Sequence, residues 1–514
     1  MSAGKTAPLA SMVTVDGRTL SLEDVERVAR NPAVRVTLSD EARTRIAASR
    51  DYIERKVASG ERVYGVTTGF GRLADVVIPP EQRTELQHNL IRSHASGMGD
   101  PLDRAAVRTT MILRANALAR GHSGCRVAVV ERLLNLLNHG IHPRVPRYGS
   151  VGASGDLAPL AHVALGILGE GRAEKDGVEA ATADLLAAEG LEPFHLEAKE
   201  GLSLINGTQA TTGLGILALL AAERAVETAE VAGAMSLEAL LGTPEAFRQE
   251  IQDARPHAGQ STSAARLRAL LRDSEIRESH RNGDPRVQDA YTLRCMPQVH
   301  GACRQALGYV RGILETEANS ATDNPLVFPD SDVVVSGGNF HAQIVAQALD
   351  LLAIAVADLA AISERRIERL LNPDLSMGLP AFLTEQPGLR SGLMITQVTA
   401  VDCLAEMRVL AHPASVDSVT TSANQEDHVS MGLAAARKAR QSVGLLEQVL
   451  ATELLAGAQG IDFRRPLRAG VGVEAAHALV RARVATLHED RLLGPDLDSL
   501  TEVVRSGALA TLVR

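Results

Sequence analysis

Residues 148–162 read Tyr-Gly-Ser-Val-Gly-Ala-Ser-Gly-Asp-Leu-Ala-Pro-Leu-Ala-His, a glycine-rich segment followed by an apolar one. Three glycines and two serines fall within residues 149–155, so the backbone there can adopt turns that residues with a Cβ avoid. After the turn, Ser154 or Asp156 can cap a helix, and Pro159 fits its first turn. The pattern predicts a tight loop that leads into the N-terminus of a helix.

The tripeptide Ala153, Ser154 and Gly155 has two interpretations. One is an ordinary loop before a capped helix. The other is chemical: if the turn presses the Gly155 amide nitrogen against the Ala153 carbonyl, the backbone can cyclise, because glycine offers little steric resistance. Loss of water from Ser154 then leaves an exocyclic methylene, an electrophile that no standard side chain supplies. The residues alone leave both interpretations open.

The length and composition of the chain favour a mainly α fold. Its 514 residues exceed one compact core, and 45% apolar residues with only 2% aromatics leave Leu, Ala, Val and Ile to fill the interior. Long patterns with few breaks predict extended helices and hence a bundle. They cover residues 287–319, 341–371, 391–410 and 432–455. We expect an N-terminal lobe over 1–200 that carries the 153–155 turn, and a long helical bundle with a C-terminal cap over 201–514.

Charge and hydropathy argue against nucleic acid and membranes as partners. The formal net charge is -9 and no dense Lys/Arg run occurs. The apolar stretches near 214–222 and 349–362 are too short, or are interrupted by Asp358, to span a bilayer, which needs ~20 residues. The N-terminus shows no basic region followed by an apolar core, so we expect no signal peptide. These features predict a soluble cytoplasmic protein.

Cysteine and histidine spacing predicts neither disulfides nor a metal site. The four cysteines show no CxxC spacing, which is typical of reduced thiols in the cytoplasm. They are Cys125, Cys295, Cys303 and Cys403. His139 and His142 are three residues apart, but Gly140 lies between them and no carboxylate completes a ligand set. No HExxH motif or P-loop is present either.

The glycine-rich stretch resembles the signature of the aromatic amino acid ammonia-lyase family, whose members make a 4-methylideneimidazol-5-one (MIO) group from their own Ala-Ser-Gly. The match runs through Gly149, Ser150 and residues 152–159. The resemblance implies an aspartase/fumarase-like superfamily architecture and an autocatalytic MIO formed from Ala153, Ser154 and Gly155 without an external cofactor. It also implies a homotetramer whose active sites are shared between subunits.

Tyr64 is the first candidate outside the turn, in the loop Tyr-Gly-Val-Thr-Thr-Gly-Phe-Gly. A phenol has a pKa of about 10, so it acts as a base at neutral pH only beside positive charge or helix N-termini. On its own Tyr64 is more simply a packed loop tyrosine. The resemblance makes it the base that removes the β-proton of the substrate.

His94 and Glu426 are the candidates for specificity. Taken alone, His94 is a charge near the end of a helix, and Glu426 is an acidic partner for the helix that follows it. By resemblance, His94 occupies the position that sorts substrates, and Ser93-His94 is similar to the histidine-specific branch. Glu426 would engage the imidazole or the leaving amine.

Five further candidates bind or act on substrate by resemblance. Asn206 can cap a helix or face the amino or carboxylate group of the substrate. The spacing of Gln288, Tyr291 and Arg294 predicts that they lie on one side of a helix. The resemblance gives Tyr291 a catalytic role. Arg294 suits a substrate carboxylate, with an exposed ion pair as the alternative. Phe340 is either part of a simple turn or a neighbour of the electrophile.

The expected reaction is the elimination of ammonia from L-histidine to give urocanate. Within the same family, a phenylalanine or tyrosine ammonia-lyase or an aminomutase keeps the electrophile but changes the pocket. A different class of protein also stays open: a non-catalytic helical scaffold whose Ala-Ser-Gly never cyclises.

Overall fold

The computed structural model describes residues 12–71 and 75–512, and the predicted absence of a signal peptide concerns residues outside this range. Within it the chain forms nineteen α-helices and nine short strands, which confirms the mainly α fold. The helices are α1 Leu22–Arg30, α2 Asp40–Ala58, α3 Arg83–His94, α4 Arg104–Ala119, α5 Val127–Asn138, α6 Leu157–Leu168, α7 Thr182–Ala188, α8 Glu200–Ile205, α9 Gln209–Ala239, α10 Gln249–Ala254, α11 Ala258–Leu270, α12 Glu275–Ser279, α13 Tyr291–Arg294, α14 Met296–Ala318, α15 Gln343–Leu371, α16 Met394–Leu410, α17 Gly432–Asp462, α18 Val471–Arg481 and α19 Gly494–Ser506.

The strands form four small sheets. They are β1 Met12–Val15, β2 Arg35–Leu38, β3 Met98–Pro101, β4 His142–Pro143, β5 Pro146–Tyr148, β6 Arg172–Lys175, β7 Val178–Ala181, β8 Leu326–Phe328 and β9 Val333–Val335. β1 and β2 pair in parallel, whereas β3–β5, β4–β6–β7 and β8–β9 are antiparallel. The β3–β5 pair leads directly into the glycine-rich stretch, because β5 ends at Tyr148.

By the density of their internal contacts, these residues form two compact units, each built from three chain segments. Unit 1 comprises Met1–Leu217, Gly312–Leu349 and Pro413–Arg437; unit 2 comprises Ala218–Arg311, Asp350–His412 and Lys438–Arg514. Four long helices each begin in one unit and end in the other: α9, α14, α15 and α17. No unit boundary falls at residue 200, and the predicted division there stays a prediction.

Serine side chains cap the helices α1 and α2. The Ser21 hydroxyl accepts a hydrogen bond of 3.1 Å from the Asp24 backbone N–H and caps α1. Ser39 caps α2 through Ala42 in the same way, also at 3.1 Å. Such caps satisfy backbone N–H groups that a helix leaves unpaired at its start.

The helix predicted over 287–319 is wrong at its beginning. The chain has no helix at 287–290, and α13 and α14 are separated at Cys295. Pro297 lies in the first turn of α14, where the missing N–H costs no helical hydrogen bond. Gln288 therefore does not share a helix with Tyr291 and Arg294, because α13 begins only at Tyr291.

Unit 1 is built around α4 and a helix triplet. Every residue of α4 from Ala106 to Ala119 is buried, which its many alanine and threonine side chains make possible. α3, α6 and α8 pack against one another. Since α6 follows the glycine-rich stretch directly, this packing holds the turn at residues 153–155 in a defined place.

Unit 2 has a buried ionic group in its core. Glu453 on α17 accepts hydrogen bonds from Ser236 at 2.7 Å and Ser363 at 2.6 Å, and it pairs with Arg366 at 2.5 Å. Neither side chain of the ion pair is exposed. The ion pair and the additional hydrogen bonds offset the free-energy cost of removing these charges from water.

Helix α15 is long and apolar enough to cross a membrane by length and composition alone. However, 61% of its most apolar window is buried inside the structure, as in a core helix. Asp350 on this helix accepts a hydrogen bond of 2.9 Å from Lys438. The burial of α15 and this polar contact are those of a core helix, so its length and composition are weak evidence for a membrane span.

The four cysteines are free thiols, and burial raises the pKa of Cys125 and of Cys303 to about 12. Such thiols stay protonated and poorly reactive. Within residues 12–71 and 75–512, no three His, Cys, Asp or Glu side chains group together as metal ligands.

The carboxyl group of Glu238 gives the fold a measurable pH dependence. It lies on α9 with 2% exposure and accepts hydrogen bonds from Ser274 at 2.7 Å and from the Gly470 N–H at 3.2 Å. Burial raises its pKa to about 7, and the charge of Glu474 acts in the same direction. Between pH ~4.5 and ~7 the folded chain holds a proton that the unfolded chain releases, so stability falls as pH rises through this window.

We predict that Glu238→Gln removes this loss, because the amide oxygen can still accept hydrogen bonds but carries no charge. The gain in free energy of unfolding should be about 2 kcal/mol larger at pH 8 than at pH 5. Urea titrations at fixed protein concentration measure it. Glu489→Gln, at a side chain with 81% exposure, is the matched control. An equal gain at both pH values would contradict the prediction.

Candidate active site

A cavity of about 660 Å³ in unit 1 brings together five of the predicted residues. Its lining includes Tyr64, His94, Ser154, Asn206 and Glu426. The rest of its wall is largely apolar and comes from the loop after Tyr64 and from α3, α6 and α8. A concave site with a few convergent polar groups in an apolar wall is typical of small-molecule binding.

The 153–155 turn is folded back on itself, as the glycines predict. Gly152 and Gly155 pair in an isolated antiparallel bridge, and both have left-handed backbones with φ of +78° and +82°. Ser154 between them also has a positive φ of +52°, which is unfavourable for a residue with a side chain. A Cβ on Gly155 would lie 2.3 Å from the carbonyl oxygen of Gly207. Only glycine fits at 155.

The carboxylate of Asp156 ties the turn to helix α9 through hydrogen bonds. This buried carboxylate accepts hydrogen bonds from the Ser150 hydroxyl at 2.9 Å and from the N–H and hydroxyl of Thr211 at 2.7 and 2.9 Å. Burial raises the pKa of Asp156, and these hydrogen bonds oppose the rise. The prediction that Ser154 or Asp156 caps α6 is wrong for the side chains, since Asp156 binds the first turn of α9 instead.

Glu426 contacts the turn directly. The Ser154 hydroxyl donates a hydrogen bond of 2.9 Å to one carboxylate oxygen, and the Thr421 hydroxyl donates one of 2.7 Å to the other. The backbones of Thr421 and Glu426 also pair with each other. The orientation of this carboxylate is therefore determined by contacts within its loop, and it points at Ser154 rather than at the start of α17.

His94 is the last residue of α3 and faces the same cavity. Burial lowers its pKa, while the Leu90 carbonyl and the charge of Glu426 act in the opposite direction. The Ser93 hydroxyl donates to the Leu90 carbonyl and lies 3.0 Å from the Nδ1 atom of His94. Since a hydroxyl has one proton, we infer that Nδ1 donates to Ser93 and that Nε2 is the acceptor nitrogen.

Tyr64 lies in the predicted loop and is half-buried at the cavity. Its phenol oxygen accepts a hydrogen bond of 3.0 Å from the Gly71 N–H. This backbone donor fixes the direction of the phenol group at the cavity. Tyr64 is therefore part of the cavity wall and not only a packed residue of its loop.

Asn206 does not cap α9; it follows the last residue of α8. Its side-chain N–H₂ group donates to the Asn324 carbonyl at 3.2 Å. Its amide oxygen is buried and has no hydrogen-bond partner among the residues that the structure describes. An unpaired buried acceptor costs about 1–3 kcal/mol, so a ligand with an N–H donor would satisfy it.

Gln288, Tyr291 and Arg294 line a different cavity, of about 420 Å³, within unit 2. Tyr291 is 70% exposed, and the Arg294 guanidinium lies 4.4 Å from the centre of its ring. The Nε atom of Arg294 is buried without a partner among the described residues. These three residues thus line a cavity of unit 2, whereas Ser154 lines the cavity of unit 1.

Phe340 is also outside the Ser154 cavity. It is half-buried in the turn before α15. Its neighbour His341 stacks on His428, with ring centres 5.8 Å apart and an interplanar angle of 1°. Phe340 is therefore held near the loop that carries Glu426, but one chain does not place it in the cavity wall.

Sequence analysis did not identify three partners of the site: Ser150, Thr211 and Thr421. Ser150 is part of the glycine-rich stretch, so its position in the motif was an available signal. Thr211 and Thr421 have no such signal, because their roles arise only when distant segments meet at Asp156 and Glu426.

Comparisons with known proteins agree with this geometry. The profile of the aromatic amino acid lyase family matches residues 20–482. Histidine ammonia-lyase of Symbiobacterium thermophilum is 53% identical over 497 residues, which are 97% of either chain. The structure of histidine ammonia-lyase from Trypanosoma cruzi superposes with a TM-score of 0.91 at 46% identity, over 98% of this chain and 94% of that one. The structure of tyrosine aminomutase from Streptomyces globisporus superposes with a TM-score of 0.92 at 39% identity, over 97% of this chain and 98% of that one. The chain belongs to the aromatic amino acid lyase family.

Proposed function

We propose that this chain is a carbon–nitrogen lyase that eliminates ammonia from L-histidine to give urocanate, in the breakdown of histidine in the cytoplasm. One observation carries the proposal: His94 and Glu426 line the cavity that contains Ser154, and Glu426 is hydrogen-bonded to it. The identity to histidine ammonia-lyases over nearly the whole chain supports the same substrate.

The 153–155 turn fits an MIO group made from Ala153, Ser154 and Gly155. The Gly152–Gly155 bridge folds the tripeptide back on itself, and Gly155 is packed against Gly207 with no space for a side chain. Once formed, MIO supplies an electrophile that withdraws electrons from the substrate. No external cofactor is then needed.

The side chains of the cavity can bind and orient histidine. The buried amide oxygen of Asn206 accepts a hydrogen bond from the substrate ammonium group. The Nε2 atom of His94 accepts one from the substrate imidazole, and Glu426 holds the opposite side of the ring or the amine that leaves. The apolar wall excludes water, which strengthens these polar contacts.

Tyr64 moves the proton. Its phenol oxygen takes the hydrogen of the substrate β-carbon, and the Gly71 N–H holds that oxygen in position. The Cα–N bond breaks, a carbon–carbon double bond forms, and the nitrogen leaves as ammonia. Positioned proton transfer of this kind contributes roughly 10²- to 10⁴-fold to a rate.

A second copy of the chain completes the site. Arg294 suits the substrate carboxylate because its planar fork can bind both oxygens, yet it lines the unit 2 cavity with Gln288 and Tyr291. Exposed Ile395, Val398 and Val409 lie at helical spacing on one face of α16, as expected of a surface that another subunit covers. We propose a homotetramer with shared active sites and with Phe340 brought to the electrophile by the assembly.

A tyrosine or phenylalanine aminomutase is the second candidate, since a tyrosine aminomutase has the same fold with a TM-score of 0.92. An aminomutase returns the amine to the β-carbon, so it yields a β-amino acid. Chromatography of products from histidine, tyrosine and phenylalanine distinguishes the two activities, and our proposal requires urocanate without a β-amino acid.

The prosthetic group gives the first prediction of the proposed function. The peptide that contains residues 153–155 should be two water molecules lighter than its sequence, and Ser154→Ala should keep the second water because it has no hydroxyl to lose. Peptide mass spectrometry measures both. Ser506→Ala, at the exposed end of α19, should still lose two waters. A wild-type peptide of unmodified mass would exclude MIO and leave the scaffold interpretation.

His94 gives the second prediction. We expect His94→Leu to lower kcat/KM for histidine about 10- to 100-fold, because one hydrogen bond to the substrate ring is lost. Turnover of phenylalanine or tyrosine should rise relative to histidine, as followed by the ultraviolet absorbance of the conjugated product. His88→Leu on the same helix, outside the cavity lining, is the control. Unchanged histidine kinetics would remove His94 from the pocket.

The shared site gives the third prediction. Ser154→Ala and Arg294→Leu should each be inactive, because one lacks the electrophile and the other the carboxylate partner. Co-expression of the two chains should restore activity, since some sites of a mixed oligomer take Ser154 from one copy and Arg294 from another. Co-expression of two separately tagged Ser154→Ala chains is the control. No recovery in verified mixed oligomers would place both residues of a site in one chain.

A further inference from the structure

The position of Gly207 determines how tightly the 153–155 turn is closed. Gly155 and Gly207 form a parallel backbone bridge, and the Asp156 N–H donates a hydrogen bond of 2.7 Å to the Gly207 carbonyl. A Cβ on Gly207 would meet the Arg114 guanidinium and the Gln209 amide, each at 2.5 Å. The segment that presses on the turn is therefore itself enclosed.

Glu317 holds this segment from the other side. The buried hydroxyl of Thr208, the residue after Gly207, donates a hydrogen bond of 2.5 Å to the Glu317 carboxyl group. The Thr212 hydroxyl in turn lies 3.4 Å from that of Thr208. The backbone at 207–208 is thus tied to the end of α14, which carries Glu317.

Glu317 occupies a place that disfavours a carboxylate. It is the second-last residue of α14, where the helix dipole opposes negative charge. Burial raises its pKa, the Thr208 hydrogen bond opposes this rise, and the charge of Asp156 adds to it. Residues that break local rules in this way tend to serve a site.

We propose that Glu317 acts through Thr208 as a positioning residue for the cyclisation of the Ala153–Ser154–Gly155 turn. The inference rests on the proposed MIO group. Neither side chain touches the reacting atoms; together they hold Gly207 against Gly155, so that the Gly155 nitrogen is kept close to the Ala153 carbonyl carbon.

The chemistry that they assist balances without an oxidant or a reductant. The Gly155 nitrogen bonds to the Ala153 carbonyl carbon, whose oxygen leaves as water with the amide hydrogens of Gly155 and Ser154. Ser154 then loses its hydroxyl group and its Cα hydrogen as a second water. An amide nitrogen is a poor nucleophile, so this reaction depends on close placement, and a shift of about 1 Å can slow such a reaction roughly 10²-fold.

The test follows the mass of the full-length chain with time after a pulse of synthesis, in the soluble fraction. Thr208→Val keeps the shape of the side chain without its hydroxyl, and Glu317→Ala breaks the same contact from the other side. Either should slow the loss of two waters about 10²-fold. Thr208→Ser and Glu317→Gln keep a donor and an acceptor, so both should match the wild-type rate.

The control is Thr110→Val, another buried threonine in unit 1, whose hydroxyl bonds within its own helix to the Ala106 carbonyl at 2.8 Å. The Thr110→Val chain should lose two waters at the wild-type rate. Thermal midpoints and elution volumes of all variants are compared, because a purely structural role would change these and not the mass alone.

Wild-type rates in both Thr208→Val and Glu317→Ala would overturn the inference and leave the proposed function intact. Slow processing in Glu317→Gln would also overturn it, since the charge rather than the contact would then matter, as would equal slowing in Thr110→Val. A wild-type chain of unmodified mass would overturn the MIO group itself and this inference with it.

Discussion

The backbone contact between Gly155 and Gly207 is the constraint on which the rest of the site depends. It leaves no room for a Cβ at residue 155 and keeps the tripeptide folded back on itself. Asp156 reinforces the contact, since its N–H donates to the Gly207 carbonyl and its carboxylate binds the first turn of α9. Ser154 is then presented to the cavity with a strained backbone that the surrounding contacts maintain.

Carboxyl groups around the turn are bound mainly by hydroxyl and amide donors. Asp156 is bound by Ser150 and Thr211, Glu426 by Ser154 and Thr421, and Glu317 by Thr208. These hydrogen bonds fix the orientation of the three carboxyl groups, so polar contacts hold the turn and the segments around it together.

The two cavities divide the predicted residues by unit. The unit 1 cavity contains the residues that we propose as electrophile, base and imidazole partners, whereas the unit 2 cavity contains Arg294, which we propose for the carboxylate. In the homotetramer that we propose, a site divided in this way would make assembly a condition of activity. Assembly would then also cover Tyr291, which is largely exposed in one chain although the resemblance gives it a catalytic role.

The sequence by itself determined features that depend on neighbours along the chain: the glycine turn, the caps by Ser21 and Ser39, and the run of long helices. These arise from hydrogen bonds and steric limits within a few residues, which a pattern can express. Family resemblance added the candidate site residues in both units. Only the tertiary structure decided that Asp156 binds α9, that Asn206 keeps an unpaired oxygen, and that Arg294 lies in a second cavity. Each of these depends on segments far apart in sequence, whose meeting is set by packing and not by local pattern.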